Sequence, residues 1–154
     1  LGDRRSELVA KVETAIERIA RLKETLGDGG DLPTIYVSIP EQHVTQRIPD
    51  PAAQTEIQLT LQQLGFGLTE VIDEADFRVV GEGTSERAGQ RGELISCRSR
   101  VEVKVLNAKG KLVAVDRQTE VAVDLAETVA AKSALQRAGH VLSERLIAWL
   151  KPAD

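Results

Sequence analysis

Between residues 95 and 123 apolar and polar side chains alternate with a period of two, the mark of strands that bury one face. Ile95, Cys97, Ser99, Val101, Val103 and Val105 make one set, and Ser96, Arg98, Arg100, Glu102 and Lys104 the other. Beyond Asn107-Ala108-Lys109-Gly110, Val113, Val115, Val121 and Val123 alternate with Ala114, Asp116, Gln118, Glu120 and Asp124, and Arg117 interrupts the apolar row. This spacing predicts a long hairpin over residues 94–123 with its valines inward. Gly110 suits the left-handed position of a three-residue turn with a bulge, which pairs Asn107 with Lys111. Val113 is then expected opposite Val105, Val115 opposite Val103 and Glu120 opposite Arg98. A buried guanidinium needs a partner, so Arg117 is expected where the sheet meets solvent.

A switch to helical spacing follows. Ala131, Ala134, Leu135, Ala138, Leu142, Leu146 and Trp149 mark the buried stripe of a helix from 125 to about 150, with Asp124 and Glu127 as a capping pair. Gly139 inside it costs about 1 kcal/mol relative to Ala, which predicts a close contact there. Ala53, Ile57, Leu61 and Leu64 form a second helical face, opened by Asp50-Pro51 with the Asp as cap and closed by Gly65. Short apolar runs at 34–39, 66–72 and 77–80 read as strands. Residues 41–49 read as a polar loop, and the Gly-rich, charged stretch 81–92 as a mobile one.

At the start of the chain Leu8, Val12, Ala15, Ile19, Leu22 and Leu26 recur at alternating steps of four and three, an amphipathic helix with a heptad pattern. As an oligomerising stalk it would use Leu8, Val12, Ile19, Leu22 and Leu26. Val9 and Ile16 widen the stripe toward that of a helix packed on a globular surface, in the same chain or a neighbour. The expected organisation is an N-terminal helix over 1–27, a Gly-rich linker over 28–33, and one domain over 34–151. The fold class is α/β (α+β): a mixed, mostly antiparallel sheet of about five strands packed by two helices, with the extra N-terminal amphipathic helix.

Composition narrows the function. A net charge of -4 argues against a large nucleic-acid footprint, and aromatics at 3% remove the usual base-stacking platforms. Cys97 is the single cysteine, so neither an intrachain disulfide nor a CxxC pair exists. On the inward face of its strand it reads as a small hydrophobe. No apolar run reaches the roughly 18 residues needed to span a bilayer. The absence of Met and the start at Leu1 are read as a processed or trimmed beginning, with any lipid-bearing cysteine expected upstream.

The one grouping that suggests site chemistry is Glu41, His43 and Asp50, a two-oxygen, one-nitrogen set for a divalent metal or a small ligand. The plain reading, that these residues order the loop or lie on the surface, is preferred, because such loop spacing is common by chance. No Gly spacing fits a phosphate-binding loop, and no Ser stands in a nucleophile elbow. His140 reads as a partly packed helix residue. Arg98, Arg100 and Lys104 give one strand face a basic strip, and Glu82, Arg87 and Arg91 add charge beside it; these six are the binding candidates, against the plain reading of a solvated face. No cofactor is expected.

Gly65-Phe66, residues 75–82 (Ala-Asp-Phe-Arg-Val-Val-Gly-Glu), residues 101–107 with Gly110-Lys111-Leu112, and residues 130–135 together resemble a loose bacterial family over about 34–150. That family includes the curli-secretion-channel lipoprotein, the lipoprotein activator of penicillin-binding proteins and a flagellar assembly protein. The resemblance implies an α/β sandwich and a non-enzymatic role at the periplasm or envelope, exerted by protein–protein contact or self-assembly. Ile39-Pro40-Glu41 stands where curli-type members tend to have a Pro-Phe step, so neither channel formation nor any functional residue carries over. The alternative is a small metal- or ligand-binding domain or enzyme built on Glu41, His43 and Asp50.

Overall fold

The computed structural model describes residues 32–151 together with Glu24. The stripe residues Leu8, Val12, Ile19, Leu22 and Leu26 and residues 28–31 of the expected linker lie outside the described residues.

The alternating pattern folds as predicted along its first strand and slips by one residue along its second. β5 (Phe77–Arg91), β6 (Leu94–Asn107) and β7 (Leu112–Asp124) form an antiparallel meander. Cys97, Ser99, Val101, Val103 and Val105 are buried. The β6–β7 turn keeps its expected geometry: Gly110 has φ 77°, and the Asn107 N–H donates to the Lys111 carbonyl at 2.9 Å. A register shift between Val105 and Leu106 then moves the pairing, so Val105 faces Ala114, Val103 faces Asp116 and Arg98 faces Val121. A slip of one residue exchanges the two faces of a strand. Val115, Val121 and Val123 are therefore exposed, while Ala122 is buried and Asp116 turns toward the helices. The same slip puts Arg117 on the solvent face, 3.9 Å from Glu102.

Of the expected loop at 81–92, residues 81–91 are strand, with a register shift between Arg87 and Gly89, and only Gly92 falls in a turn. One edge of β5 carries β6 throughout; the other carries β1 (Thr34–Ser38) in parallel along residues 77–80 and then β2 (Glu41–His43) along residues 83–85. Its glycines permit this. A Cβ at Gly81 would overlap the Glu102 carbonyl oxygen, and one at Gly83 would lie 2.7 Å from Glu41 Cγ. The predicted polar loop at 41–49 contains β2 and β3 (Gln46–Arg47) as a small hairpin, turning at Val44 with φ 58°. The strand expected at 66–72 shrinks to β4 (Gly67–Leu68), parallel to β1, followed by a 3-10 turn Ile72–Glu74. Among the described residues the sheet thus has seven strands rather than about five.

Both helices cover one face of it. α1 (Ala52–Gln63) buries Ala53, Ile57 and Leu61, and the chain leaves it through Gly65 at φ 100°. α2 (Glu127–Leu146) buries Ala131, Ala134, Leu135, Ala138, Leu142 and Leu146. It starts two residues later than expected, with Ala126 as N-cap and no side-chain cap; Asp124 accepts the Ala126 N–H instead. A 3-10 turn Ile147–Trp149 ends it, leaving Trp149 half exposed rather than buried. The contact foreseen at Gly139 is the crossing of the helices, where a Cβ would stand 2.7 Å from the Ala53 carbonyl oxygen. Ile35, Val37, Val79, Val101, Val103 and Val105 meet Ile57, Leu61, Leu135, Leu142 and Leu146 in one core.

Candidate functional site

Glu41, His43 and Asp50 lie close in sequence, and the fold sends each to a different partner. Glu41 opens β2 and is 3% exposed. Its two carboxylate oxygens accept the N–H groups of Ala53 and Gln54, each at 3.0 Å. An α-helix leaves its first four N–H groups without intrahelical partners, and here a carboxylate from a neighbouring strand satisfies two of them. The expected Asp50 cap is not formed; Pro51 is the N-cap and makes no side-chain bond. Burial lifts the Glu41 carboxyl above the ordinary glutamate range, against the pull of the Ala53, Gln54 and Ala52 amides. Asp50 is exposed and pairs at 3.6 Å with Lys132 of α2.

His43 holds three elements together. Its Nδ1 lies 2.7 Å from Ser85 Oγ on β5, and its Nε2 2.7 Å from Glu127 Oε2 at the start of α2. A carboxylate can only accept, so Nε2 donates to Glu127, and in the neutral ring Nδ1 accepts from the Ser85 hydroxyl. Arg87 approaches the other Glu127 oxygen at 3.6 Å. Serine, imidazole and carboxylate in line are the parts of a hydrolytic triad, but here Ser85 is buried, 4% exposed. The arrangement serves as a clasp between β2, β5 and α2. Cys97 lies beneath it, fully buried, with its thiol raised by burial first and by the Glu127 charge second. Among the described residues no group of three or more His, Cys, Asp or Glu side chains is arranged to hold a metal ion.

Ser85 and Glu127 lie 42 and 84 residues away from His43, and no local spacing announces such a meeting. His140, on α2, stands between Glu56 at 3.3 Å and Glu144 at 3.4 Å.

The basic strip lies on the sheet face opposite the helices. Arg98, Arg100 and Lys104 of β6 are exposed there, with Glu82 and Glu86 of β5 on one side and Arg117 of β7 on the other. Arg100 pairs with Glu102 at 2.6 Å and Arg98 approaches Glu86 at 3.9 Å. No described element covers this face. A shallow groove crosses it, lined by Val80, Glu82, Glu102, Lys104, Val115 and Arg117. Arg87 is held at the clasp, and Arg91 is exposed at the far end of β5.

Neither a protein-family model nor a curated protein matches the sequence. Solved structures share the fold. A minor lipoprotein from Acinetobacter baumannii superimposes with a TM-score of 0.56 at 15% identity, over 79% of this chain and 96% of that one. A hypothetical protein from Chlamydia trachomatis gives 0.53 at 11% identity, over 76% of this chain and 96% of that one. A Xanthomonas campestris protein described as family DUF330 gives 0.52 at 14% identity, over 77% and 83%. No described helix is long and apolar enough to cross a membrane.

Proposed function

We propose that this chain is a non-enzymatic binding or assembly module of the bacterial envelope, acting through protein–protein contacts and associating with itself. The observation that carries the proposal is the division of the sheet. One face is consumed by helix packing, and the other is a broad, charged surface that no described element covers and on which no metal-holding cluster is assembled among the described residues. The reactive side chains that do converge, His43, Ser85 and Glu127, are spent on holding strands to a helix. Placement at the envelope draws on the shared fold of the Acinetobacter lipoprotein and on the resemblance to the curli-channel and penicillin-binding-protein-activator lipoproteins. The stripe Leu8, Val12, Ile19, Leu22 and Leu26 is the proposed tether or oligomerising element.

Two measurements test this. Fractionation of cells carrying the natural gene is expected to place the protein with the periplasm or membranes; recovery wholly in the cytosol overturns the envelope assignment. Light scattering on the purified chain is expected to give a mass above the monomer that falls when residues 1–27 are removed. A monomer at every concentration overturns self-association.

A further inference from the structure

Among the described residues β7 pairs with β6 alone, so one of its edges has no strand beside it. The register decides which backbone groups line that edge, because those of successive residues point to opposite sides of a strand. In β5 the Gly83 N–H bonds the Pro40 carbonyl and the Ser85 carbonyl accepts the Val44 N–H, which leaves the even residues of β5 to address β6. Glu82 faces Glu102, so the odd residues of β6 address β7, and Val101 faces Gln118. The even residues of β7 are thereby committed to β6. Arg117, Thr119 and Val121 turn their N–H and C=O groups to the outer edge.

Side chains of α2 and β7 already occupy that row. Arg137 donates from Nη1 to the Val121 carbonyl at 3.0 Å, and Arg145 from Nη2 to the Arg117 carbonyl at 2.9 Å. Asp116 grips the Arg145 guanidinium with both oxygens, at 2.9 and 3.1 Å, and one of them also accepts the Arg117 N–H at 2.7 Å. Between the two arginines, Gln118 Nε2 lies 3.5 Å from the Thr119 carbonyl. The spacings match. Residues 137 and 145 are about 12 Å apart along a helix, and residues 117 and 121 about 13 Å apart along a strand.

We infer that Arg137 and Arg145 form an edge guard, an autoinhibitory contact that keeps β7 from pairing with the β7 of a second copy. An open strand edge is a template for another chain. Around Thr119 the outward groups of β7 are self-complementary. A two-fold axis there sets Thr119 opposite Thr119 and Arg117 opposite Val121 of the other copy, so that each N–H of one strand meets a carbonyl of the other. The acceptors that ladder needs on either side of its centre, at 117 and 121, are the ones the arginines fill. A guanidinium suits the task because its fork is rigid and holds donors only; an incoming N–H finds no acceptor on it. The guard goes beyond the self-association proposed above, which it directs away from the β7 edge.

The test removes the guard in the full chain, with circular dichroism to confirm folding. Arg137→Ala combined with Arg145→Ala is expected to raise the mass in light scattering above that of wild type at the same concentration. Amide hydrogen exchange at Thr119 and Val121, followed by NMR, is expected to slow about tenfold or more as that variant is concentrated, and to be independent of concentration in wild type. Arg137→Ala alone leaves the Arg145–Asp116 pair in place; it is expected to show a smaller change of the same kind, and it carries the test if the double variant does not fold. Adding Thr119→Pro removes an outward N–H without touching the β6 ladder and is expected to return the mass to the wild-type value. Folded variants with wild-type mass and exchange, association that survives Thr119→Pro, or wild-type amides already protected at Thr119 and Val121 each overturn the guard. Association through residues 1–27 leaves both amides unprotected, so its failure and that of the guard are told apart.

Discussion

The two faces of the central sheet are built from alternate residues of the same strands, yet they obey different physics. On the covered face Val79, Val101, Val103 and Val105 are fully buried beneath Leu135 and Leu142, and each such side chain contributes about 1.5–3 kcal/mol by leaving water. On the uncovered face Arg98, Arg100, Glu82 and Lys104 stay in solvent, where an ion pair is worth about 0–1 kcal/mol. Stability is thus concentrated on one face, and the other is free to carry whatever chemistry recognition requires.

The largest effect should come from the covered side. Leu142→Ala is expected to lower unfolding free energy by about 2–5 kcal/mol in a denaturant titration; a cost under about 1 kcal/mol would contradict a packed helix layer. Gly139→Val forces a side chain against the Ala53 backbone and is expected to cost about 1–3 kcal/mol, read as a lower thermal midpoint.

Glu41 lies between the two extremes, as a charge placed inside the covered layer. Glu41→Ala strands the Ala53 and Gln54 N–H groups and should cost about 1–3 kcal/mol. Because burial raises the Glu41 carboxyl, the folded chain keeps a proton through a window just above the ordinary value of 4.5, where the unfolded chain has released it. The Glu41 contribution is therefore fully present below that window and is lost as pH rises through it. Glu41→Gln should remove this slope from the stability–pH profile; an unchanged profile would show that Glu41 titrates normally. Smallest of all, Arg98→Ala and Arg100→Ala should each stay within about 0.5 kcal/mol of wild type. A loss above 1 kcal/mol in the monomer would mean that the uncovered face stabilises the fold after all.

Some of this was legible in the residues. The face of β6, the stripes of α1 and α2, the turn at Gly110 and the crossing at Gly139 follow from local periodicity and from the sterics of glycine. The β7 register did not, because a single bulge beside Val105 reverses every later side chain, and valine is at home in exposed strand positions as well as buried ones. The stretch 81–92 carried the composition of a loop. Its glycines serve instead to let the Glu102 backbone and the Glu41 side chain come close to β5, and both of those are distant in sequence.

The candidate site shows the same boundary more sharply. The sequence brought Glu41, His43 and Asp50 together on a loop and marked Arg98, Arg100 and Lys104 as an exposed strip. Only the tertiary structure decided that Glu41 is a helix cap, that His43 belongs with Ser85 and Glu127, and that Glu82 and Lys104 share one groove. The physical reason is range: hydrophobic period, turn geometry and glycine sterics act within a few residues and can be read along the chain. Capping by another element, strand register and the pairing of charges across a sheet depend on which distant backbones lie side by side, and folding alone settles that.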